Sequence, residues 1–174
     1  ITLAPLLTKW PCLTRIVAMA PPICARTGVP ALAGTTLGAG TMRSVIYGTA
    51  ADTKGYYVAL GDGGGTYRSL DGLTWTGLPA TTTADPRAAL YALNKFIVVG
   101  ANGSISYGTD LSTWTAAASN TTETLNAIAG NGTIAVAVGN NGTLRTTADG
   151  ITWVNGTVPT TQNLYGVAYS ASGN

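Results

Sequence analysis

Trp75, Trp114 and Trp153 stand 39 residues apart each time, and the sequence around them repeats with them. Aligned on these tryptophans, GDGGGTYRSLDGLTW from Gly61, GANGSISYGTDLSTW from Gly100 and GNNGTLRTTADGITW from Gly139 fall in register. Gly61, Gly100 and Gly139 superpose, as do Asp71, Asp110 and Asp149, and Thr74, Thr113 and Thr152. Three copies in register exclude chance and make a repeat architecture the first expectation.

Each copy reads as short strands cut by turn residues. In the third, 125–129 and 134–138 are apolar strands, 143–147 is another, and a fourth runs through Trp153. Asn141-Gly142 between the second and third strands signals a tight hairpin, because a type I′ turn requires positive φ at both central residues. Gly63-Gly64 and Asn102-Gly103 hold the same place in the other copies. Four antiparallel strands in about 40 residues make one β-propeller blade. The segments are too short and too rich in Gly and Thr for a helical repeat. The fold class expected is all-β, with blades at residues 42–84, 85–123, 124–162 and the start of another at 163–174. The first copy is longer, with extra residues around 50–54. Closed propellers have roughly four to eight blades. The remaining ones are therefore expected on further chain rather than from several chains, because ending mid-repeat exposes a strand edge. The start at Ile1 rather than Met points the same way at the other end.

The segments SLDGLTW from Ser69 and TADGITW from Thr147, the latter preceded by VAVGNNGTLRT from Val136, resemble the Asp-box, or BNR, repeat. That repeat occurs in sialidase-like propellers, in photosystem assembly-factor propellers, and in phage tail and bacterial surface proteins. The spacing here, Asp-Gly-x-Thr-Trp, is one residue shorter than the sialidase form. The middle copy departs further, with Gly108 for the Ser/Thr and Leu111 for the Gly. The likeness thus leans toward the tail-protein and assembly-factor members. The motif's chemistry is structural: the carboxylate accepts backbone N–H groups that the turn leaves unpaired, Gly permits the φ, and Trp packs between sheets. Asp71, Asp110 and Asp149 are accordingly read as structural, with Trp75, Trp114 and Trp153, and not as catalytic acids or calcium ligands. In relatives such turns lie on the rim, away from the central funnel.

Composition narrows the function. Charged residues are 9% of the chain, against roughly 25% in an ordinary domain. The chain has no His, which removes imidazole bases, Ser-His-Asp triads and His-ligated metals. A net charge of +2 offers no footprint for nucleic acid. Glycoside hydrolysis normally needs two facing carboxylates, and Glu123 is the single glutamate. A sialidase also needs an arginine cluster, and Arg43, Arg68, Arg87 and Arg145 fall at different repeat positions. The glycine run from Gly61 lacks the Gly-Lys-Ser/Thr ending of a phosphate loop. No catalytic residue, cofactor or metal is expected.

Tyr47, Tyr91 and Tyr169 align just after the first strand of their copies, with Gly130 in the remaining one. If that strand is innermost, these rings are candidate ligand contacts near a channel mouth, suited to stacking on sugars. Among five glycosylation-like triplets, those at Asn102, Asn131, Asn141 and Asn155 are Asn-Gly-Ser/Thr and read as turns, beside Asn120. Residues 1–41 fall outside the repeat. They carry Cys12, Cys24 and five prolines, with Trp10 and nearby leucines as an anchor cluster. They read as a docking arm or a degenerate outer strand. The uncharged stretch 16–25 is too short, and too broken by Pro21 and Pro22, to span a membrane.

The function expected is a non-enzymatic structural or binding propeller module in a phage tail or other virion or extracellular surface assembly. Its partners would be other structural proteins and a cell-surface glycan, without membrane insertion. A cell-surface or periplasmic setting is the alternative location. The alternative functions are a sialidase-like glycan-binding or glycan-hydrolysing propeller and an assembly factor docking on a membrane complex.

Overall fold

The computed structural model describes residues 41–171. They form three four-stranded antiparallel sheets. The first holds β1 (Met42–Thr49), β2 (Gly55–Gly61), β3 (Thr66–Ser69) and β4 (Thr76–Leu78) in that order. The second holds β5 (Pro86–Ala92), β6 (Lys95–Gly100), β7 (Ile105–Gly108) and β8 (Thr115–Ala117). The third holds β9 (Leu125–Gly130), β10 (Ala135–Gly139), β11 (Leu144–Thr147) and β12 (Val154–Asn155). Each sheet is one blade, built from one copy of the repeat. β1 packs on β5 and β5 on β9, so the first strands are the inner ones.

Strand alternation builds the seams between blades, because successive side chains point to opposite faces. Tyr56, Val58 and Leu60 of β2 meet Phe96 and Val98 of β6, with Leu111 and Trp114 completing the cluster. The intervening residues of β6, Ile97 and Val99, point the other way. They meet Leu125, Ile128, Ala135, Ala137 and Trp153 of the third blade. Trp114 and Trp153 therefore each seal the seam with the blade before their own. Trp153 is 1% exposed, whereas Trp75, in the first described blade, is half-buried.

The second and third strands join as the dipeptides require. Asn141 and Gly142 have φ of 52° and 64°, and the Thr143 N–H donates to Asn140 O at 2.9 Å. Asn102-Gly103 and Gly63-Gly64 repeat this left-handed turn. Each turn then holds the linker leading to the next blade: Thr81 N–H donates to Gly64 O, and Gly142 N–H to Gln162 O.

Several boundaries differ from the sequence reading. The fourth strands start after the tryptophan rather than running through it, because the Asp turn holds 71–75 and its equivalents out of the ladder. Ile134 precedes β10, in a turn where the Asn131 carboxamide oxygen accepts the N–H groups of Thr133 and Ile134. Tyr47 and Tyr91 lie inside β1 and β5, opposite Tyr57 and Phe96, rather than just past the strands. Residues 164–169 form no strand; Leu164 is pinned by its N–H to Gly139 O and by Asn126 Nδ2 to its carbonyl. Asn155 lies in β12 instead of a turn. Cys12 and Cys24, the Trp10 cluster and the arm reading lie outside the described residues.

Leu111 shows how the middle copy tolerates its missing glycine. It sits at φ 63° yet is fully buried in the first seam. A left-handed Leu costs about 1–2 kcal/mol, while burying a leucine stabilises by about 2–5 kcal/mol when measured by truncation. Burial wins. Leu111→Gly, which restores the repeat's own residue, should therefore lower stability by about 2 kcal/mol in urea unfolding.

Candidate functional site

The Asp turns are three near-copies of one device. Asp71 Oδ1 accepts the backbone N–H of Leu73 and Thr74, both at 2.8 Å, and the Ser69 hydroxyl at 2.9 Å. Asp149 Oδ1 accepts Ile151 and Thr152 N–H at 2.8 and 2.7 Å and the Thr147 hydroxyl at 2.9 Å. The same hydroxyls accept Gly72 and Gly150 N–H. Asp110 keeps the two amides, from Ser112 and Thr113; with Gly108 in place of the Ser/Thr, the hydroxyl is gone. Hydrogen bonds to the charged form favour it. The turn amides thus hold the Asp71 carboxyl down to about 2 and those of Asp110 and Asp149 below the usual carboxylate range.

A pH dependence follows. A carboxylate depressed in the folded chain contributes stability that is present above its unfolded value of about 3.9 and lost as pH falls through its folded value. The urea midpoint should hold steady down to about pH 5 and fall between about pH 4 and 2. Asp71→Asn with Asp149→Asn should flatten that fall. An unchanged slope would mean that these carboxylates are not held this way.

The arginines do not converge. Arg145, 9% exposed, donates Nε to Ser119 O at 2.8 Å, Nη2 to Asn120 O and Nη1 to Leu144 O, tying the linker before its own blade. Ser106, one repeat earlier, does the same through the hydroxyls of Thr82 and Thr83, each at 2.6 Å. Arg68 lies over the Tyr56 ring at 4.9 Å, and Tyr56 donates its hydroxyl to Asp52 at 2.7 Å. Glu123 sits in the linker between β8 and β9, where its N–H donates to the Thr121 hydroxyl.

Arg43 and Arg87 meet at the starts of the inner strands. Arg43 pairs with Asp62 at 2.5 Å and reaches Asp85 at 3.6 Å, and Arg87 pairs with Asp85 at 2.7 Å. This network spans two blades beside the first linker, which Thr81 N–H ties to Gly64 O and Ala101 N–H holds at Ala84 O. The Arg43 and Arg87 side chains stay about one-third exposed, at 31% and 38%. The Arg43 guanidinium holds the Asp62 carboxyl below its ordinary range. Sequence reading scattered these arginines and passed over Asp62 and Asp85. The available signal was that Arg43 and Arg87 each stand four residues before the aligned Tyr47 and Tyr91, while both acids directly flank strand boundaries.

The candidate tyrosines differ in exposure and partners. Tyr47 is exposed and packs its ring against Tyr57, centroids 5.2 Å apart. Tyr91 is half-buried in the first seam, 4.8 Å from Phe96, with its ring lying across Gly48. Tyr169 is exposed and outside any strand. Among the described residues no cluster of His, Cys, Asp or Glu is placed to hold a metal ion, and no helix is long and apolar enough to cross a membrane.

A scan against protein-family models finds no match, and a search of curated proteins finds none. Solved structures do match. One described as YCF48 bound to D1 peptide is 16% identical, with a TM-score of 0.53, over 77% of this chain and 44% of that one. Another, YCF48 from Cyanidioschyzon merolae, is 18% identical, with a TM-score of 0.56, over 73% of this chain and 44% of that one. The chain thus spans less than half the length of these neighbours. At such identities the likeness establishes the fold: the three sheets are β-propeller blades.

Proposed function

We propose that this chain is part of a non-enzymatic propeller that binds partner polypeptides at the end where its linkers cross. The observation that carries the reading is the Arg43–Asp62–Asp85–Arg87 network, a cross-blade cluster of charge whose arginine side chains are partly exposed. Such donors suit peptide carbonyls and carboxylates. A solved neighbour of this fold is bound to a D1 peptide, which supports recognition of polypeptide. Catalysis is left out of this reading, and the aspartates of the turns and of the Arg43 pair support that choice. The carboxyls of Asp52, Asp62, Asp71, Asp110 and Asp149 are all held low, whereas a glycosidase's general acid must be held high.

The setting proposed is a virion or other extracellular surface assembly, consistent with the sparse charge and the Asp-box-like turns. An assembly factor docking on a membrane complex is the second reading, favoured by the peptide-bound neighbour. Glycan contact would rest on Tyr47 and Tyr57, since Tyr91 is committed to a seam.

Panning a random peptide display library on the immobilised chain tests the reading. Enriched peptides should bind saturably and lose about tenfold in affinity with Arg87→Ala. A fluorogenic sialoside should remain intact under the same conditions. Sialoside hydrolysis, or a library that yields no saturable binder, would overturn the proposal.

A further inference from the structure

The hairpin between β9 and β10 repeats the Asp-turn device around a neutral residue. Asn131 Oδ1 accepts the N–H of Thr133 at 3.0 Å and of Ile134 at 2.9 Å, and the Thr133 hydroxyl at 2.9 Å. Asp71 Oδ1 accepts the same set: the amides two and three residues ahead, and one hydroxyl. Such donors favour a charged acceptor, so an aspartate suits this place better than the amide. Asn131 is followed by Gly132, whose bare backbone lets its nitrogen approach the side-chain carbonyl carbon. Three other Asn-Gly pairs occur, at Asn102, Asn141 and Asn155, and they differ in what holds the glycine nitrogen. Gly142 N–H donates to Gln162 O at 2.8 Å, and Gly156 N–H to Leu144 O at 3.0 Å. Gly103 is buried under its linker, where a methyl would lie 2.0 Å from Thr121 O. Gly132 is exposed, with nothing within 4 Å of its methyl position, and its N–H has no partner among the described residues. Among the described residues, Asn131 Oδ1 is also the one side-chain oxygen of the four that accepts hydrogen bonds.

We propose that Asn131 is a site of spontaneous deamidation, which converts this hairpin into a further Asp turn. The Gly132 nitrogen attacks Asn131 Cγ and a C–N bond forms. The negative charge that develops falls on Oδ1, where the Thr133 and Ile134 donors already point. The Cγ–Nδ2 bond then breaks. The proton of the Gly132 nitrogen passes through solvent to Nδ2, which leaves as ammonia, and a five-membered imide remains. Water next adds to an imide carbonyl. The donors stay on Oδ1 and keep Cγ the more electrophilic of the two carbons. The bond from Cγ to the Gly132 nitrogen therefore breaks, that nitrogen regains its proton, and an aspartate on an ordinary backbone results. Attack at the other carbonyl would route the main chain through the side chain and take the carboxylate away from its donors.

Incubating the chain at mildly alkaline pH, followed by electron-transfer fragmentation of its peptides, tests this. Asn131 should convert about tenfold faster than Asn102, Asn141 or Asn155, the factor that one kept hydrogen bond is worth. Its product should be mainly aspartate rather than isoaspartate. Thr133→Val removes one donor from Oδ1 at an exposed position and keeps the shape of the side chain. It should slow conversion at Asn131 severalfold and leave the other three sites unchanged. Asn131→Asp, made directly, should raise the urea midpoint at neutral pH. That gain should persist down to about pH 4 and be lost as pH falls further, the sign for a carboxylate depressed in the folded chain. Conversion at Asn131 no faster than at the other three sites would overturn the proposal. So would a mainly isoaspartate product, an equal or faster rate in Thr133→Val, or a lower midpoint in Asn131→Asp.

Discussion

Trp153→Ala should lower the free energy of unfolding by about 3–5 kcal/mol, the range for truncating a fully buried large aromatic. The ring is 1% exposed and touches both sides of the second seam, among Ile97, Val99, Ile105, Leu125 and Ile128. Its removal leaves a cavity that rigid strands on both sides cannot close. Trp75→Ala, at the same repeat position but half-buried, should cost clearly less. Urea unfolding of the two variants separates a seam role from a generic preference for tryptophan. Equal losses would mean that the residue acts within its own blade and not on the one before.

Gly142→Ala is the second large effect, expected at about 3 kcal/mol. Gly142 sits at φ 64°, where an L-residue pays about 1–2 kcal/mol. The added methyl would also lie 1.9 Å from Thr160 O. The linker must then move, and the Gly142 N–H bond to Gln162 O is lost with it. Gly63 provides the contrast: its φ is 66°, but nothing lies within 4 Å of the methyl position. Gly63→Asn installs the residue that Asn102 and Asn141 already supply at that point and should change stability by no more than about 0.5 kcal/mol. Thermal or urea unfolding of both variants checks the pair.

The local devices could be read from the chain. The left-handed turns follow from Asn-Gly and Gly-Gly, and the Asp turns from a carboxylate two and three residues before the amides it accepts. In both, the partners are neighbours in sequence. The contacts between blades could not be read in this way. Nothing local predicts that Tyr91 lies across Gly48, or that Arg145 and Ser106 tie the linkers before their blades. Leu111 looked like a lapse in the repeat until its burial explained it. The Arg43–Asp62–Asp85–Arg87 network was hidden for a similar reason. Arg43 and Arg87 share a repeat position, four residues before the aligned Tyr47 and Tyr91, but Asp62 and Asp85 do not, and only the approach of β1 to β5 brings the four together.

Hydrogen exchange of the chain with and without a panned peptide tests the central claim most directly. The claim predicts slowed exchange at 41–44, 61–65 and 79–88, where the network and the first linker meet. The Asp turns at 71–75, 110–114 and 149–153 should exchange as before. Protection confined to those turns, or none anywhere at saturating peptide, would contradict it.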